Sequence, residues 1–460
     1  MSQAEYILLE AKDCTTFKLL PGQEQVMHHF VRSVSKTNTF YFSTNSRDDE
    51  NLPVAEYDYA TGKWWAGRLV GEATFAFEGK NYKVIIKPRF GELFLFRMLE
   101  EIFNVKLAET SNSLNRNQDF QFLIKKLISF LWLNMLANAN KHGLPRNTIS
   151  KIHKGQTVRG RINVPRSIKP YYTTAEIVSN YREKEANETI AQILFQAYDI
   201  LLKEYSLGTL NFPNNAKDAI IQLEGTQILK RQITNREYKS IRYKDIYQSY
   251  KPAVDFSWDI IQRKSIANNL QAETLKQGYS FFIDIAEIWE LYLKSLLKKH
   301  FSPKGWILRN DRLMTYPGKY FQRYLIPDIV FQRKEDILVF DAKYKRMYFD
   351  SFDIDRTDFF QIHTYINYYQ QDKNVIIGGL LYPLSIQHIQ ERQEKSISQT
   401  LYGSNFTNTK FITDGIDISF LQEGVQTAQN VKEKFKEKEE HFVKRIYSEL
   451  KWQSVIDKSS

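Results

Sequence analysis

The most constraining stretch of this chain is residues 324–343, YLIPDIVFQRKEDILVFDAK, where two apolar runs flank a short polar turn and each run carries a carboxylate. Ile337, Leu338, Val339 and Phe340 form an unbroken apolar run, the pattern of a central strand covered on both faces. Asp341 and Lys343 therefore emerge where that strand leaves the core. They are two residues apart and project to the same side, while Ala342 between them is small and offers its carbonyl. Asp328 lies on the preceding run, and a hairpin through Arg333, Lys334, Glu335 and Asp336 brings it beside Asp341. Two carboxylates and a carbonyl make an oxygen-rich pocket suited to Mg²⁺, with Mn²⁺ as an alternative. The nearby ammonium of Lys343 is placed to orient or activate an attacking water, so the chemistry implied is metal-dependent phosphodiester cleavage.

An Asp-x-Lys triplet alone carries little weight, because a chain of 460 residues holds on the order of one by chance. The surroundings add to it. Residues 281–298 carry Phe282, Ile285, Trp289, Leu293 and Leu296 as a helical stripe. At about 100° per residue Glu290 falls at the edge of that stripe, whereas Glu287 and Asp284 point away, so Glu290 is the acid placed to reach the sheet. Residues 356–371 read as a second helix with Asp358, Gln361 and Tyr365 on one flank, and 375–382 (VIIGGLLY) as a returning buried strand. The order helix, strands, helix, strand converges polar groups on one end of a mixed sheet flanked by helices.

At these residues the chain resembles the PD-(D/E)xK nuclease fold. Pro327-Asp328, then Asp341-Ala342-Lys343-Tyr344-Lys345, then Asp358, Gln361 and Tyr365 resemble the nuclease domain of the McrC family, the cleavage subunit of McrBC-type modification-dependent restriction systems. Ile288-Trp289-Glu290 resembles the helical Leu-Phe-Glu of that family. Gly143-Leu144-Pro145-Arg146 followed by Val158-Arg159-Gly160-Arg161-Ile162-Asn163 resembles its "GL-x-R … RGRID" stretch, with Asn163 where an acid is more usual. Residues 71–89 resemble its N-terminal β-rich element, ending here in Pro-Arg where Pro-Lys is usual. The matches are scattered over residues 67–382 and dense only in the nuclease part; residues 1–60 and 202–276 match nothing in the family pattern.

The resemblance implies a Mg²⁺-dependent DNA endonuclease subunit of a type IV restriction system. Its catalytic set would be Glu290, Asp328, Asp341, Lys343 and Gln361, with Asp328, Asp341 and Glu290 as metal ligands. It further implies modified double-stranded DNA as substrate. The partner would be a separate McrB-type AAA+ GTPase hexamer, bound through the N-terminal part and stimulated by it, which carries the modified-base reader and uses the GTP. The chain has no Gly-x-x-x-x-Gly-Lys-Ser/Thr phosphate loop of its own. Two other readings compete. Gln361-x-x-x-Tyr365 also resembles nucleases of the recombination-repair type, which act alone, and Asp328, Asp341 and Lys343 could form a structural ion-pair cluster in a non-catalytic DNA-binding scaffold.

A chain of this length holds two or three domains with their own cores. The expected architecture is α+β and multidomain. It comprises a β-rich partner-binding domain at 1–92, a mainly helical linker and DNA-contact region at 93–270, an α/β PD-(D/E)xK nuclease domain at 271–422 and a charged helix at 423–460, the first and third burying separate cores. A net charge of +11 favours a polyanionic partner without separating nucleic acid from a membrane surface. Residues 127–137, the longest apolar stretch, are too short to span a bilayer, and the start MSQAEYILLEAKD lacks the basic end of a signal peptide. No membrane partner is expected. Cys14 is the single cysteine, which excludes internal disulfides and Cys-based zinc sites and fits a cytoplasmic protein.

Smaller features leave alternatives open. Trp64 and Trp65 beside Lys63 and Arg68 suit a base-stacking platform or ordinary strand packing. His28 and His29 have surface or packing roles. Arg159, Arg161, Arg166 and Lys169 lie in a Gly- and Pro-punctuated loop that suits phosphate or partner contacts, or simple solvation. Residues 230–251 hold seven Lys or Arg, interleaved with Tyr238, Tyr243, Tyr247 and Tyr250, and read equally as a DNA contact or a solvated helix face. Phe435, Phe442, Ile446 and Leu450 on one side of 423–450 mark a helix that docks on the body or a partner.

Overall fold

Positive φ at Glu78 (49°) and Gly79 (75°) closes a tight turn at Glu78-Gly79-Lys80-Asn81, a polar stretch whose glycine marks a turn in the sequence, and fixes a long hairpin in the first part of the chain. The computed structural model describes residues 6–34, 39–42, 52–103, 116–205, 207–210, 212–225, 231–269, 280–316, 324–347, 354–384, 397–401, 408–422 and 428–456. A second polar stretch that reads as a turn, Asp48-Asp49-Glu50-Asn51, lies outside the described residues, as does Lys230. The first elements are β1 (Ile7–Lys12), α1 (Gln23–His29), β2 (Thr39–Phe42), β3 (Ala55–Asp58), β4 (Lys63–Ala66), the hairpin strands β5 (Leu69–Phe77) and β6 (Lys80–Lys87), and α2 (Glu92–Phe103).

Trp64 and Trp65 fall on opposite faces of β4, so Trp64 is buried in the core and only Trp65 is exposed. Trp64 packs edge-on against His28 at 4.8 Å, which settles both residues as packing.

Two units make up the chain: residues 1–113 together with 275–460, and residues 114–274. The second unit holds α3 (Arg116–Ala139), β7 (Arg146–Gly155), β8 (Arg161–Ile162), α4 (Val164–Thr174), β9 (Ile177–Ala186), α5 (Glu188–Glu204), α6 (Asn214–Gly225), α7 (Asn235–Lys239) and α8 (Tyr250–Asn269). Helices dominate it, and β7, β9 and β8 add a three-stranded antiparallel sheet in that order, which the expected helical region did not include. Gly160, with φ 77°, lets the chain pass against β9, where a Cβ would strike the Asn180 carbonyl. The basic run starts in a loop at Arg159, passes through β8 at Arg161 and ends in a helix: Asn163 caps α4 by accepting from the Arg166 N–H at 3.3 Å. Arg159, Arg161, Arg166 and Lys169 are exposed along it. Farther on, the tyrosines turn inward. Tyr238 stacks on Trp258 at 4.7 Å, and the buried Tyr250 donates to Asn140 Oδ1 at 2.7 Å, so these rings pack and do not offer themselves to bases.

Back in the first unit come β10 (Ser280–Asp284), α9 (Ile285–Phe301), β11 (Ile307–Arg309), β12 (Leu313–Met314), β13 (Tyr324–Leu325), β14 (Ile329–Arg333) and β15 (Asp336–Ala342). After them follow α10 (Arg356–Tyr369), β16 (Asn374–Leu384), β17 (Ile397–Thr400), β18 (Lys410–Asp417) and α11 (Ala428–Ile456). The pattern expected as helix from residue 281 begins with a strand, and that strand belongs to the first sheet, whose order is β1-β6-β5-β10-β2. Phe282 is buried in one core with Leu9, Met27, Phe75 and Ile86, so residues 1–92 do not close a core of their own. Gly71 makes room for β10, since a Cβ there would collide with the Phe281 carbonyl.

A second sheet, β11-β14-β15-β16-β18-β17, has the antiparallel hairpin β14–β15 followed by parallel β16 and β18, the mixed sheet anticipated for the nuclease part. Residues alternate across it. Ile337 and Val339 pack with Ile362, Tyr365 and Ile366 of α10, while Phe331 stacks on Phe301 of α9 at 5.3 Å. The last helix docks as predicted: Phe435, Phe442 and Ile446 are buried, Arg97 holds Glu439 at 2.6 Å, and Arg445 grips Asp414 at 2.8 Å. Among the described residues no helix is long and apolar enough to cross a membrane.

Replacing Gly71 with Val should lower the thermal unfolding midpoint of the first unit by the equivalent of about 1–3 kcal/mol, the usual cost of forcing atoms into a close-packed contact. An unchanged midpoint in a melting curve would mean that β5 and β10 have room to part.

Candidate active site

The hairpin register Ile329↔Phe340 sets Asp328 directly across from Asp341 at the open end of the second sheet. Asp341 shares the parity of Ile337 and Val339, so its side chain lies on the α10 face. It has no solvent exposure, and Asp328 is buried beside it. One Asp328 oxygen, Oδ2, accepts the Ala342 N–H at 2.8 Å, which locks the two carboxylates into a fixed pair. Beyond Ala342 the ladder continues, with the Lys343 N–H donating to the Leu381 carbonyl at 2.9 Å.

Lys343 is the cation of the cluster. Its Nζ lies 2.5 Å from Asp341 Oδ2 and 3.3 Å from Asp358 Oδ1, and it donates to Gln361 Oε1 at 2.9 Å. The Gln361 amide nitrogen donates to the Tyr365 hydroxyl at 2.9 Å, and that hydroxyl donates to the Ile326 carbonyl at 3.2 Å. Because an amide has one accepting and one donating end, Tyr365 decides which end of Gln361 meets the ammonium. The second oxygen of Asp358 pairs with Lys345. Asp358 sits in the first turn of α10, where Asp355 caps the helix by accepting from Thr357 at 2.7 Å.

The electrostatics follow from burial. Desolvation pushes the Asp341 carboxyl up from its ordinary range, against the opposing pull of Lys343. Burial alone would lower the Lys343 ammonium, but the carboxylates of Asp341, Asp358 and Asp328 outweigh it and raise the group. The lysine therefore stays charged near neutral pH, and of the two roles open to it, holding charge in place fits better than taking a proton. Burial also lifts the Tyr365 hydroxyl to about 12, so it remains a donor.

Four of the five expected site residues, Asp328, Asp341, Lys343 and Gln361, come together. Glu290 shows a different contact: its Oε1 pairs with Lys294, one turn along α9, at 2.5 Å. Among the described residues no three His, Cys, Asp or Glu side chains group as a metal site. Nor do Asp284 and Glu287 point away into solvent. Both are buried, because α9 is covered on nearly every side, and Asp284 caps the helix while pairing with Arg68 at 2.9 Å. Asp358 and Lys345 are members of the cluster missing from the expected set. The alternation Asp341, Lys343, Lys345 and the spacing Asp358, Gln361, Tyr365 are the signals that carry them.

A divalent cation fits the carboxylate pair. Apart from the ion pair with Lys343, neither Asp341 oxygen meets a hydrogen-bond donor among the described residues, and a fully buried carboxylate so placed calls for positive charge. Mg²⁺ in particular is commonly held by one or two carboxylates, with water and phosphate filling the remaining positions.

The sequence matches the family described as "McrBC 5-methylcytosine restriction system component" over residues 69–383. The chain belongs to the McrBC family. No curated protein matches the sequence. This McrBC-family chain is similar in fold to a refined half-complex from a tetradecameric assembly of Thermococcus gammatolerans McrB AAA+ hexamers with bound McrC. The identity is 13%, the TM-score 0.50, and 96% of this chain and 100% of that one are covered. A cryo-EM structure of the Thermococcus gammatolerans McrBC complex also matches, at 14% identity and TM-score 0.31 over 65% of this chain and 88% of that one. At 13% identity the likeness to the half-complex is one of fold.

Removing the hydroxyl in Tyr365→Phe should cost about 1–3 kcal/mol in denaturant unfolding, because it strips a partner from both Gln361 and the Ile326 carbonyl. An unchanged midpoint would mean that Gln361 is not held from that side.

Proposed function

We propose that this chain is the DNA-cleaving subunit of a modification-dependent restriction system, a metal-dependent endonuclease that acts with a separate AAA+ GTPase ring. The observation that carries the reading is the union of Asp328, Asp341, Lys343 and Gln361 at the open end of the mixed sheet. Family membership supports the restriction setting. The described structural relative has McrC bound to McrB AAA+ hexamers, which supports a ring partner here.

In this mechanism Asp328 and Asp341 would hold Mg²⁺ or Mn²⁺. When bound, the ion supplies Lewis acidity to the phosphodiester and lowers the pKa of a bound water. Lys343 supplies a fixed positive charge to the phosphate oxygens as negative charge builds on them. Gln361 aims that ammonium, and Tyr365 fixes Gln361. The exposed cations Arg159, Arg161, Arg166 and Lys169 in the second unit suit phosphate or partner contacts. Base recognition and GTP belong to the partner.

Asp341→Ala and Asp328→Ala should each abolish cutting of modified duplex DNA while leaving the circular dichroism spectrum unchanged. Cutting at the wild-type rate in Mg²⁺ by either variant would show the site to be misassigned. With wild-type chain, cleavage should appear only when the cognate GTPase and GTP are added. Vigorous cutting of unmodified DNA by the chain alone would replace this reading with that of a self-sufficient repair nuclease.

A further inference from the structure

The Lys343 ammonium occupies the side of Asp341 where a metal ion would place its charge, at 2.5 Å from Oδ2. Two cations therefore compete for one fully buried carboxylate. A divalent ion arriving there repels the ammonium, which needs another anion to rest on, since a buried charge without a counter-charge is strongly disfavoured. Asp358 stands ready on the other side of the same nitrogen, at 3.3 Å. It is itself shared with Lys345, which is the more exposed of the two lysines, with a side chain 38% exposed against 18% for Lys343.

We propose that Asp358 is a positioning residue that sets the affinity of the Asp328–Asp341 pair for a divalent cation, by receiving Lys343 when the cation binds and releasing Lys345 toward solvent. The inference rests on the reading of Asp328 and Asp341 as metal ligands. It assigns the carboxylate at the start of α10 a role in cation exchange and none in touching the metal or the reacting phosphate. Gln361 stays bonded to the ammonium through the exchange, because its oxygen lies on neither carboxylate. The freed Lys345 then becomes available to a phosphate of the bound nucleic acid, which links uptake of the ion to grip on the substrate.

The test is Mn²⁺ binding by the full chain, followed by isothermal titration and by the loss of the free-ion electron paramagnetic resonance signal, without DNA. Asp358→Asn should weaken Mn²⁺ roughly tenfold, a factor of ten corresponding to about 1.4 kcal/mol of coupling. Lys343→Gln should tighten binding, because the competing cation is gone. The deciding comparison is the double variant. In the Lys343→Gln background Asp358→Asn should have no further effect, which a merely structural role would not produce. Lys345→Gln, at a more exposed position, should tighten binding by leaving Asp358 wholly to Lys343, and it provides a reading even where Asp358→Asn fails to fold. Equal losses in both backgrounds, wild-type affinity in Asp358→Asn, or no gain in Lys345→Gln would each overturn the proposal while leaving the metal site intact. Absence of Mn²⁺ binding by the wild-type chain would overturn the metal site itself, and the exchange with it.

Discussion

Asp341 is a carboxylate with no exposure to water, set at the end of a central strand, and most of the site is arranged to tolerate it. Burying such a group unpaired costs more than a domain's net stability can spare, so a cation must come with it. Lys343 is that cation, and being half sunk itself it needs further anions. Asp358 supplies a second anion and Gln361 a neutral accepting oxygen, and both stand on α10. The charge requirement of one strand end thus dictates where a helix from the other side of a crossover must dock.

The same strand end is held on its opposite face by contacts of another kind. Tyr344, alternating away from Lys343, packs edge-on against Phe90 at 5.0 Å and lies beneath the Arg89 guanidinium at 5.5 Å. Arg89 is tied to the buried Asp13 at 2.6 Å. Residues at the ends of strands of the first sheet therefore grip the segment that carries the candidate lysine, and the Pro-Arg ending of the N-terminal element has a structural reason: its arginine covers the Tyr344 ring.

Much of this was legible in the sequence. The apolar run 337–340 announced a strand buried on both faces, the polar turn after residue 332 fixed a hairpin, and the hairpin register placed Asp328 against Asp341. Helical spacing put Asp358, Gln361 and Tyr365 on one flank. What failed was direction where neighbours come from far along the chain. Phe281-Phe282-Ile283 is a short apolar run that suits either period, and only its distant partners in β5 and β2 make it a strand. The angular argument set Glu290 apart from Glu287 and Asp284 at the margin of a stripe, but α9 is buried on nearly every side and all three acids are buried on it, so the stripe has no margin. Composition likewise counted the tyrosines of residues 230–251 among the cations without telling that the rings face in.

The position of β10 has a consequence for how the chain is made. Four strands of the first sheet precede residue 88, but the sheet cannot close until β10 has been synthesised, and β2 finds its parallel partner only then. The second unit, residues 114–274, is complete before that. During translation the inserted unit can settle first, while β5 waits with an open edge of the kind that invites mispairing. Pairing Ala73 with Ser280 closes a very long loop, which makes it a slow event in folding. The helix α9 and the hairpin that carries Asp328 and Asp341 follow directly behind that strand, so the candidate site can take shape only after the strand that seals the first sheet has been made.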